Sequence, residues 1–199
     1  MDYTVFSTEF PDVKVFYNEP LKNYTFTKTG GRAAILIFPK DKKEASAVMH
    51  WLRENDIPTT ILGNASNVII KDGGISGAVI MLNDMSHLTV SDTQIVAEGG
   101  VALIDVSKEA AKNGLTGLEF ACGIPGSVGG AVFMNAGAYG GEISHILQSC
   151  KVLTKDGEIE TLSVKDLAFG YRHSAIQDSG AIVLSAKFAL APGNHQVIK

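Results

Sequence analysis

The chain has 199 residues, 45% of them hydrophobic and 19% charged. A chain of this length can bury about 70% of the surface that it exposes when unfolded. A formal charge of −4, with scattered lysines and arginines, argues against a nucleic-acid partner. No apolar run approaches the roughly 18 residues that cross a bilayer, and the first residues do not resemble a signal peptide, so we expect a cytoplasmic protein without membrane insertion. Cys122 and Cys150 lack the spacing of metal ligands, so we predict no metal site and two buried thiols.

The first clear elements form a strand followed by a helix. Residues 33–38 predict a strand that is closed by Pro39. Asp41 and Glu44 then make a capping box, which predicts the start of a helix. The apolar positions that share one face of this helix are Ala45, Val48, Met49 and Leu52.

The same pattern then continues and restarts. Residues 58–62 predict a second strand that leads into the polar loop 63–67, and residues 78–82 predict a third. A further strand over 95–97 and a helix over 102–112 follow, so a second subdomain begins near Met85. We therefore divide the chain into an N-terminal subdomain (1–84), a second subdomain (85–191) and the start of a further domain (192–199).

Residues 117–142 form a long glycine-rich run whose only charges are Glu119 and Glu142. Each glycine inside a helix or strand costs roughly 0.5–1 kcal/mol relative to alanine, so we do not expect a packed helix or strand here. Glycines allow main-chain N–H groups to approach an anion or a planar ring. The run therefore predicts backbone contact with a nucleotide-type cofactor.

The last part of the chain predicts a hairpin and a final strand. Residues 150–154 and 158–162 flank the turn signal Lys155–Asp156–Gly157. Ser163 and Asp166 predict the cap of a short helix. Residues 181–190 predict the last strand.

Neither glycine-bearing loop fits a common nucleotide motif. Loop 63–67 lacks the lysine of a phosphate-binding Walker loop, and residues 123–130 are not spaced as a dinucleotide fingerprint. Loop 63–67 can still offer amide donors and polar side chains to a pyrophosphate, although an ordinary polar turn would have the same composition. Both interpretations of loop 63–67 stay open on composition alone.

Three segments resemble the UDP-N-acetylenolpyruvoylglucosamine reductase family. They are residues 23–33, the loop at 62–67, and residues 117–142 together with 169–174. The resemblance follows the chain in order from Leu21 to Leu190. It implies an α+β fold of the FAD-binding PCMH or vanillyl-alcohol-oxidase type, in which two α+β subdomains hold FAD between them.

The resemblance also implies which residues bind FAD. In the family, the loop 63–67 wraps the pyrophosphate, the run 123–137 lies along the flavin and its phosphates, and Ile182 contacts the isoalloxazine. The implied cofactor-binding residues are Gly63, Asn64, Ala65, Ser66, Asn67, Gly123, Ile124, Pro125, Gly126, Ser127, Gly129, Gly130, Ala131, Asn135, Gly137 and Ile182. Ala65 stands where the family has glycine, which argues against a positive φ there. Relatives with covalent FAD place a histidine at that position, so alanine implies non-covalent FAD.

The implied reaction transfers a hydride from NADPH to FAD and then to the enolpyruvyl double bond of UDP-N-acetylglucosamine enolpyruvate, giving UDP-N-acetylmuramate for peptidoglycan synthesis. Arg172 occupies the family position that stabilises the substrate carboxylate, and Tyr139 and Tyr171 are implied to line the same pocket. Without the family, Arg172 would be read as a surface cation, the tyrosines as packing residues and Glu119 as a solvated carboxylate. His173 is expected to be structural or exposed.

The family continues into a third domain, which supplies a serine proton donor and a glutamate, and this chain stops where that domain should start. We therefore expect a protein that binds FAD but is catalytically incomplete. A non-catalytic nucleotide-binding module of the same fold is the alternative, and a flavin oxidase acting on a sugar or alcohol is a further one. The sequence does not indicate the oligomeric state or a preference between NADPH and NADH.

Overall fold

Two successive sets of strands and helices fold into two units in the computed structural model, which describes residues 3–194. The division lies between Met85 and Ser86, one residue from the boundary drawn on the sequence. Of the residues assigned to a further domain, 195–199 lie outside the described part. No helix in the described part is long and apolar enough to cross a bilayer.

The first unit contains a four-stranded mixed sheet. Its strands are β1 (Lys14–Pro20), β2 (Arg32–Phe38), β3 (Thr59–Leu62) and β4 (Ile75–Met81), in the order β1-β2-β4-β3. β1 pairs antiparallel with β2, whereas β4 lies parallel to both β2 and β3. β2 reads as an almost continuous apolar run because a central strand is buried on both faces.

Two helices complete this unit, α1 (Val5–Glu9) and α2 (Lys42–Glu54). Asp41 Oδ1 accepts hydrogen bonds from the main-chain N–H groups of Lys43 and Glu44, at 2.8 and 2.9 Å, so the predicted cap by Asp41 is confirmed. The other half of the capping box differs, because the Glu44 carboxylate accepts from the Lys40 N–H and not from Asp41. The side chains that α2 buries are Ala45, Val48 and Leu52, while Met49 is half-buried. Trp51 lies off that face and packs edge-on against Phe6 of α1, with ring centroids 5.3 Å apart.

The second unit contains an antiparallel five-stranded sheet. Its strands are β5 (Leu88–Ser91), β6 (Gln94–Glu98), β10 (Leu147–Leu153), β11 (Ile159–Ser163) and β12 (Ile182–Ala189), in the order β11-β10-β12-β6-β5. The predicted hairpin is confirmed as β10–β11. Two short pairs accompany the sheet, β7 (Leu115–Thr116) with β13 (Ala191–Pro192) and β8 (Gly137–Ala138) with β9 (Gly141–Glu142).

Three helices pack with this sheet: α3 (Leu103–Lys112), α4 (Val128–Phe133) and α5 (Ile176–Ser179). The helix expected after Ser163 is absent from the described structure, where residues 164–168 form turns. The side chains of Ser163 and Asp166 do make the predicted capping bonds, and these bonds hold a turn instead. They also lower the pKa of Asp166, because the Ser163 hydroxyl and N–H both donate to its carboxylate.

The glycine-rich run 117–142 differs most from the secondary structure predicted from the sequence. Residues 128–133 form helix α4, which buries Val128, Gly129, Ala131 and Val132 in the core of the second unit. The prediction of no packed helix here was wrong, because burial of the apolar positions outweighs the low helix propensity of glycine.

Candidate cofactor-binding site

The polar loop 63–67 begins where β3 ends. The main-chain N–H groups of residues 64–67 have no hydrogen-bond acceptor among the residues that the structure describes. Buried or half-buried amide donors are normally paired, so a run of such donors can receive an anion or other acceptor. Ser66 and Asn67 add side-chain donors at the same place.

Asn64 is held by a residue that lies just beyond the neighbouring strand of the sheet. The Asn83 Nδ2 group donates to Asn64 Oδ1 at 3.0 Å, while Asn83 Oδ1 is buried and has no partner in the described chain. Asn83 lies in the short 3-10 helix Leu82–Asp84 that follows β4, just as loop 63–67 follows β3. Ligands of open α/β sheets bind beyond the carboxyl ends of parallel strands, which is where these residues lie.

Ala65 adopts φ of +46°, so the argument from alanine against a positive φ at this position was wrong. Its side chain is buried in an apolar cluster with Leu21, Leu62 and Ile70. Its carbonyl oxygen accepts a hydrogen bond from the Phe26 N–H at 3.1 Å. Packing and this bond fix a conformation that costs an L-residue roughly 1–2 kcal/mol.

That bond also places the first segment of the resemblance beside the loop. Thr25 is buried and its hydroxyl donates to the Thr29 carbonyl at 2.7 Å, which closes the turn around Phe26. Phe26 itself is 65% exposed, and Ile69, just after the loop, is 85% exposed. Two large apolar side chains next to unpaired amide donors fit a ligand that is part anionic and part aromatic.

In the second unit, Glu119 fixes the start of the glycine-rich run. Its carboxylate accepts hydrogen bonds from the Thr116 hydroxyl at 2.5 Å and from the Gly117 N–H at 2.7 Å. Partial burial would raise the pKa of Glu119, but these hydrogen bonds outweigh it and hold the pKa below its ordinary value. Gly117 has φ of +123°, so the carboxylate braces a turn that only glycine adopts easily.

The middle of the run offers amide donors before α4. Ser127 caps α4 by accepting the Gly130 N–H at 3.3 Å, and its own N–H, like that of Gly126, has no acceptor among the described residues. A Cβ at Gly123 would meet no atom within 4 Å, so the backbone there is open to a close neighbour. Gly126 is nearly as open, with one atom of Ile124 at 3.8 Å.

Other residues of the run serve the fold. The Gly129 N–H donates to the Gly99 carbonyl at 2.8 Å, and a Cβ at Gly129 would lie 3.1 Å from that oxygen. At Gly137 a Cβ would lie 2.6 Å from the Gly141 carbonyl oxygen. The side chain of Ala131 is buried in the core. The contact of Gly129, Gly137 and Ala131 with FAD stays a prediction. Close packing within the protein is sufficient to explain why these three residues are small.

Asn135 links the run to the segment that contains Arg172. It is buried, has φ of +43°, donates from Nδ2 to the Gly170 carbonyl at 3.1 Å and accepts from the Ser144 N–H at 3.0 Å. Both ends of its side-chain amide are therefore used within the protein. The Asn135 side chain also hydrogen-bonds Glu142, so its predicted contact with the cofactor would have to involve the main chain.

Tyr171 and Arg172 occupy the tip of a tight turn. Gly170 and His173 exchange two main-chain hydrogen bonds, at 3.1 and 3.2 Å, and Arg172 has φ of +54°. The Tyr171 side chain is 91% exposed, and the Arg172 guanidinium lies 5.9 Å from the centre of its ring. The guanidinium forms no ion pair with any residue that the structure describes. His173 pairs with Asp178 at 3.2 Å, which fits its expected structural role.

The remaining predicted residues lie in different settings. Tyr139 and Gly140 have φ of +51° and +84° at the tip of the β8–β9 hairpin, as a type I′ turn requires, and Tyr139 is 97% exposed. Ile182 is buried as the first residue of β12. Cys150 is buried, which raises its thiol pKa to about 12, but Cys122 is exposed, so the prediction of two buried thiols was half wrong.

FAD fits the residues that are present. Its diphosphate requires N–H donors, which residues 64–67 provide within the first unit. Taken by itself, the second unit offers the N–H groups of Gly126 and Ser127 and the open backbone at Gly123. Sequence reasoning found these loops but missed Asn83. Its position two residues after a strand was the signal that could have indicated it.

Each unit carries a loop whose amide donors can bind a nucleotide-type cofactor, and comparison with known proteins agrees. Residues 33–163 match the model of the FAD binding domain family, and the chain belongs to that family. The α+β fold and the predicted cofactor FAD are thereby confirmed. The resemblance noted on the sequence is also confirmed: the UDP-N-acetylenolpyruvoylglucosamine reductase of Streptococcus pneumoniae strain Hungary19A-6 is 62% identical over 187 residues.

That alignment covers 94% of this chain and 62% of the relative, and for strain R6 the share of the relative is 59%. The chain thus spans about three-fifths of the length of the reductases it matches. The crystal structure of the reductase from Thermus caldophilus has a TM-score of 0.78 at 33% identity, covering 94% of this chain and 65% of that one. Glucooligosaccharide oxidase from Acremonium strictum, at 19% identity and a TM-score of 0.68, shares the fold.

Proposed function

We propose that the chain supplies the FAD-binding part of a cytoplasmic, NADPH-dependent reductase that converts UDP-N-acetylglucosamine enolpyruvate to UDP-N-acetylmuramate. The 62% identity over 94% of the chain to reductases of that name carries the proposal. The confirmed FAD binding domain supports it. Peptidoglycan synthesis, and with it cell shape and division, would be the process served.

Residues 64–67 would hold the diphosphate through their main-chain N–H groups. The N–H groups of Gly126 and Ser127 are the donors that the second unit offers to FAD. Because these neutral donors are fixed by the fold before binding, they need not reorganise when the anion binds. The loop contains no cation, so binding would depend on hydrogen-bond geometry more than on net charge. No nucleophilic side chain stands at Ala65, which supports non-covalent binding of FAD.

When bound, FAD would supply hydride transfer from NADPH to the enolpyruvyl double bond. Negative charge would develop towards the substrate carboxylate during this reduction, and the chain's contribution would be to stabilise it. Arg172 would stabilise that charge, because a guanidinium stays ionised when it is desolvated and matches a carboxylate with two parallel N–H donors. Tyr139 and Tyr171 would border the same substrate, as the resemblance implies, and each side chain is exposed at the tip of a turn.

The cofactor proposal is tested by purifying the chain and recording its absorption from the near ultraviolet to the blue. We expect flavin bands, either as purified or after incubation with FAD and gel filtration. Denaturation should release the flavin, because it is held non-covalently. A chain that stays colourless after incubation with FAD would contradict the proposal.

The catalytic proposal is tested in a chain extended to the length of the reductases. There, Arg172→Ala should lower turnover about 10²- to 10³-fold, the usual effect of losing one preorganised charge-stabilising donor, while FAD content stays unchanged. Arg172→Lys keeps the charge without the planar fork and should recover part of the rate. Turnover that is unaffected by Arg172→Ala would rule out the assigned role.

A further inference from the structure

The side chain of Asn83 is bound to the protein at only one end. Its Nδ2 donates to Asn64 Oδ1 at 3.0 Å, and its Oδ1 is buried without a donor among the described residues. A buried carbonyl oxygen without a hydrogen bond disfavours folding, and an apolar side chain of similar shape would avoid this penalty. Stability alone therefore does not explain an asparagine at this position.

The bond has a clear effect on Asn64. Because Asn64 Oδ1 is occupied by Asn83, the Asn64 Nδ2 group is left as a donor, and it has no acceptor in the described part of the chain. Asn64 belongs to the loop whose main-chain N–H groups of residues 64–67 are also without acceptors. Asn83 thus fixes the orientation in which Asn64 adds donors, and not an acceptor, to this set.

The opposite orientation is less favourable on two counts. Rotating both side-chain amides by 180° would preserve the hydrogen bond between them, but it would leave the Asn83 N–H₂ group buried without an acceptor. It would also leave the Asn64 oxygen as the atom available to a ligand, and an oxygen repels a phosphate. The arrangement in the structure is the one that suits an anion.

We propose that Asn83 is a positioning residue for FAD: it holds the Asn64 side chain so that Nδ2 donates to the diphosphate. The proposal rests on the assignment of loop 63–67 to FAD binding and adds a residue from outside that loop. Asn83 itself need not touch the cofactor. It favours binding through Asn64, at the expense of a buried oxygen that the folded protein leaves unpaired.

The test compares Asn83→Leu and Asn83→Ala with the wild type in FAD titrations of the apoprotein, followed by the fluorescence of FAD. We expect the dissociation constant to rise about five- to ten-fold, the equivalent of one hydrogen bond. In urea unfolding of the apoprotein, followed through the single tryptophan Trp51, Asn83→Leu should be at least as stable as the wild type. Weaker binding without loss of stability is a pattern that a purely structural role would not produce.

The variant Asn64→Ala tests whether Asn83 acts on FAD binding through Asn64. If Asn83 acts through Asn64, Asn83→Ala should change the dissociation constant less than about two-fold in the Asn64→Ala background. Asn55→Ala is the matched control, because the Asn55 Nδ2 donates to the Trp51 carbonyl at 2.8 Å in the same unit. That variant should lose stability and keep its FAD affinity.

The outcomes separate the two proposals. A wild-type chain that binds no FAD would overturn the assignment of the loop and this inference together. A wild-type chain that binds FAD, with Asn83→Leu and Asn83→Ala binding equally well, would overturn the inference alone. An effect of Asn83→Ala that persists undiminished in the Asn64→Ala background would show that Asn83 does not act through Asn64, and would also overturn it.

Discussion

Gln177 donates its side-chain amide to the main-chain carbonyl oxygen of Arg172 at 3.0 Å. The same nitrogen lies 2.9 Å from the carbonyl oxygen of Phe133, the last residue of α4. Ser174 donates its hydroxyl to the same Phe133 oxygen at 2.8 Å. The turn that carries Arg172 is therefore fastened to the helix formed by the glycine-rich run.

Removing this amide should loosen the turn. We expect Gln177→Ala to lower the free energy of unfolding by about 1 kcal/mol, and Gln177→Glu by more, because a carboxylate would face carbonyl oxygens that also carry negative charge. Urea unfolding of the second unit measures both. Gln148→Ala is the control, since its only described side-chain bond is a long one of 3.4 Å to Gln94, and it should change stability by less than about 0.5 kcal/mol.

Substitution by alanine should lower the stability of the protein at Gly129 but not at Gly126. At Gly129 a Cβ would be forced to within 3.1 Å of the Gly99 carbonyl oxygen, so Gly129→Ala should cost about 1–3 kcal/mol of stability. At Gly126 the nearest atom would be 3.8 Å away and φ is not positive, so Gly126→Ala should leave stability unchanged. If the backbone at Gly126 contacts FAD, that variant should bind FAD more weakly. Equal loss of stability in both variants would contradict this division.

Local signals in the sequence predicted much of the fold. β2 and α2 were predicted because an apolar run, a cap and a helical spacing all lie within a few residues. β1 was missed because it is an edge strand whose residues are mostly exposed or half-buried, so it lacks the alternation of a buried strand. α4 was missed because its glycines have a low helix propensity, and the burial of Val128, Ala131 and Val132 that outweighs it depends on residues distant in sequence.

The candidate site shows the same limit. Composition drew attention to loops 63–67 and 117–142, and family resemblance identified their cofactor. Asn83 and Gln177 could not be found this way, because Asn64 lies 19 residues from Asn83 and Phe133 lies 44 residues from Gln177, and only the folded chain brings them close. Residues that position other side chains through tertiary contacts cannot be recognised from the spacing of residues along the sequence.

The low pKa of Glu119 predicts a pH-dependent contribution to stability. Its folded-state pKa lies below the ordinary value, so the stabilisation is present above the unfolded-state pKa and is lost as the pH falls through the folded-state pKa. We expect Glu119→Gln to be about 1 kcal/mol less stable near neutral pH, a figure reduced for solvent screening at this exposed side chain. The gap between variant and wild type should close in acid. Urea unfolding at a series of pH values measures it, and a gap that is constant with pH would contradict the prediction.

Ala65 offers a test of whether the left-handed conformation shapes the loop. A β-branched side chain is strongly disfavoured at φ of +46°, so Ala65→Val should lower the free energy of unfolding by about 2 kcal/mol and weaken FAD binding as the loop relaxes. Ala65→Gly is the matched control: glycine relieves about 1 kcal/mol of backbone strain but loses a buried methyl group worth about 0.8 kcal/mol. Its stability and its FAD affinity should therefore stay close to those of the wild type. If Ala65→Val binds FAD as tightly as Ala65→Gly, the conformation at this residue does not shape the loop for the cofactor.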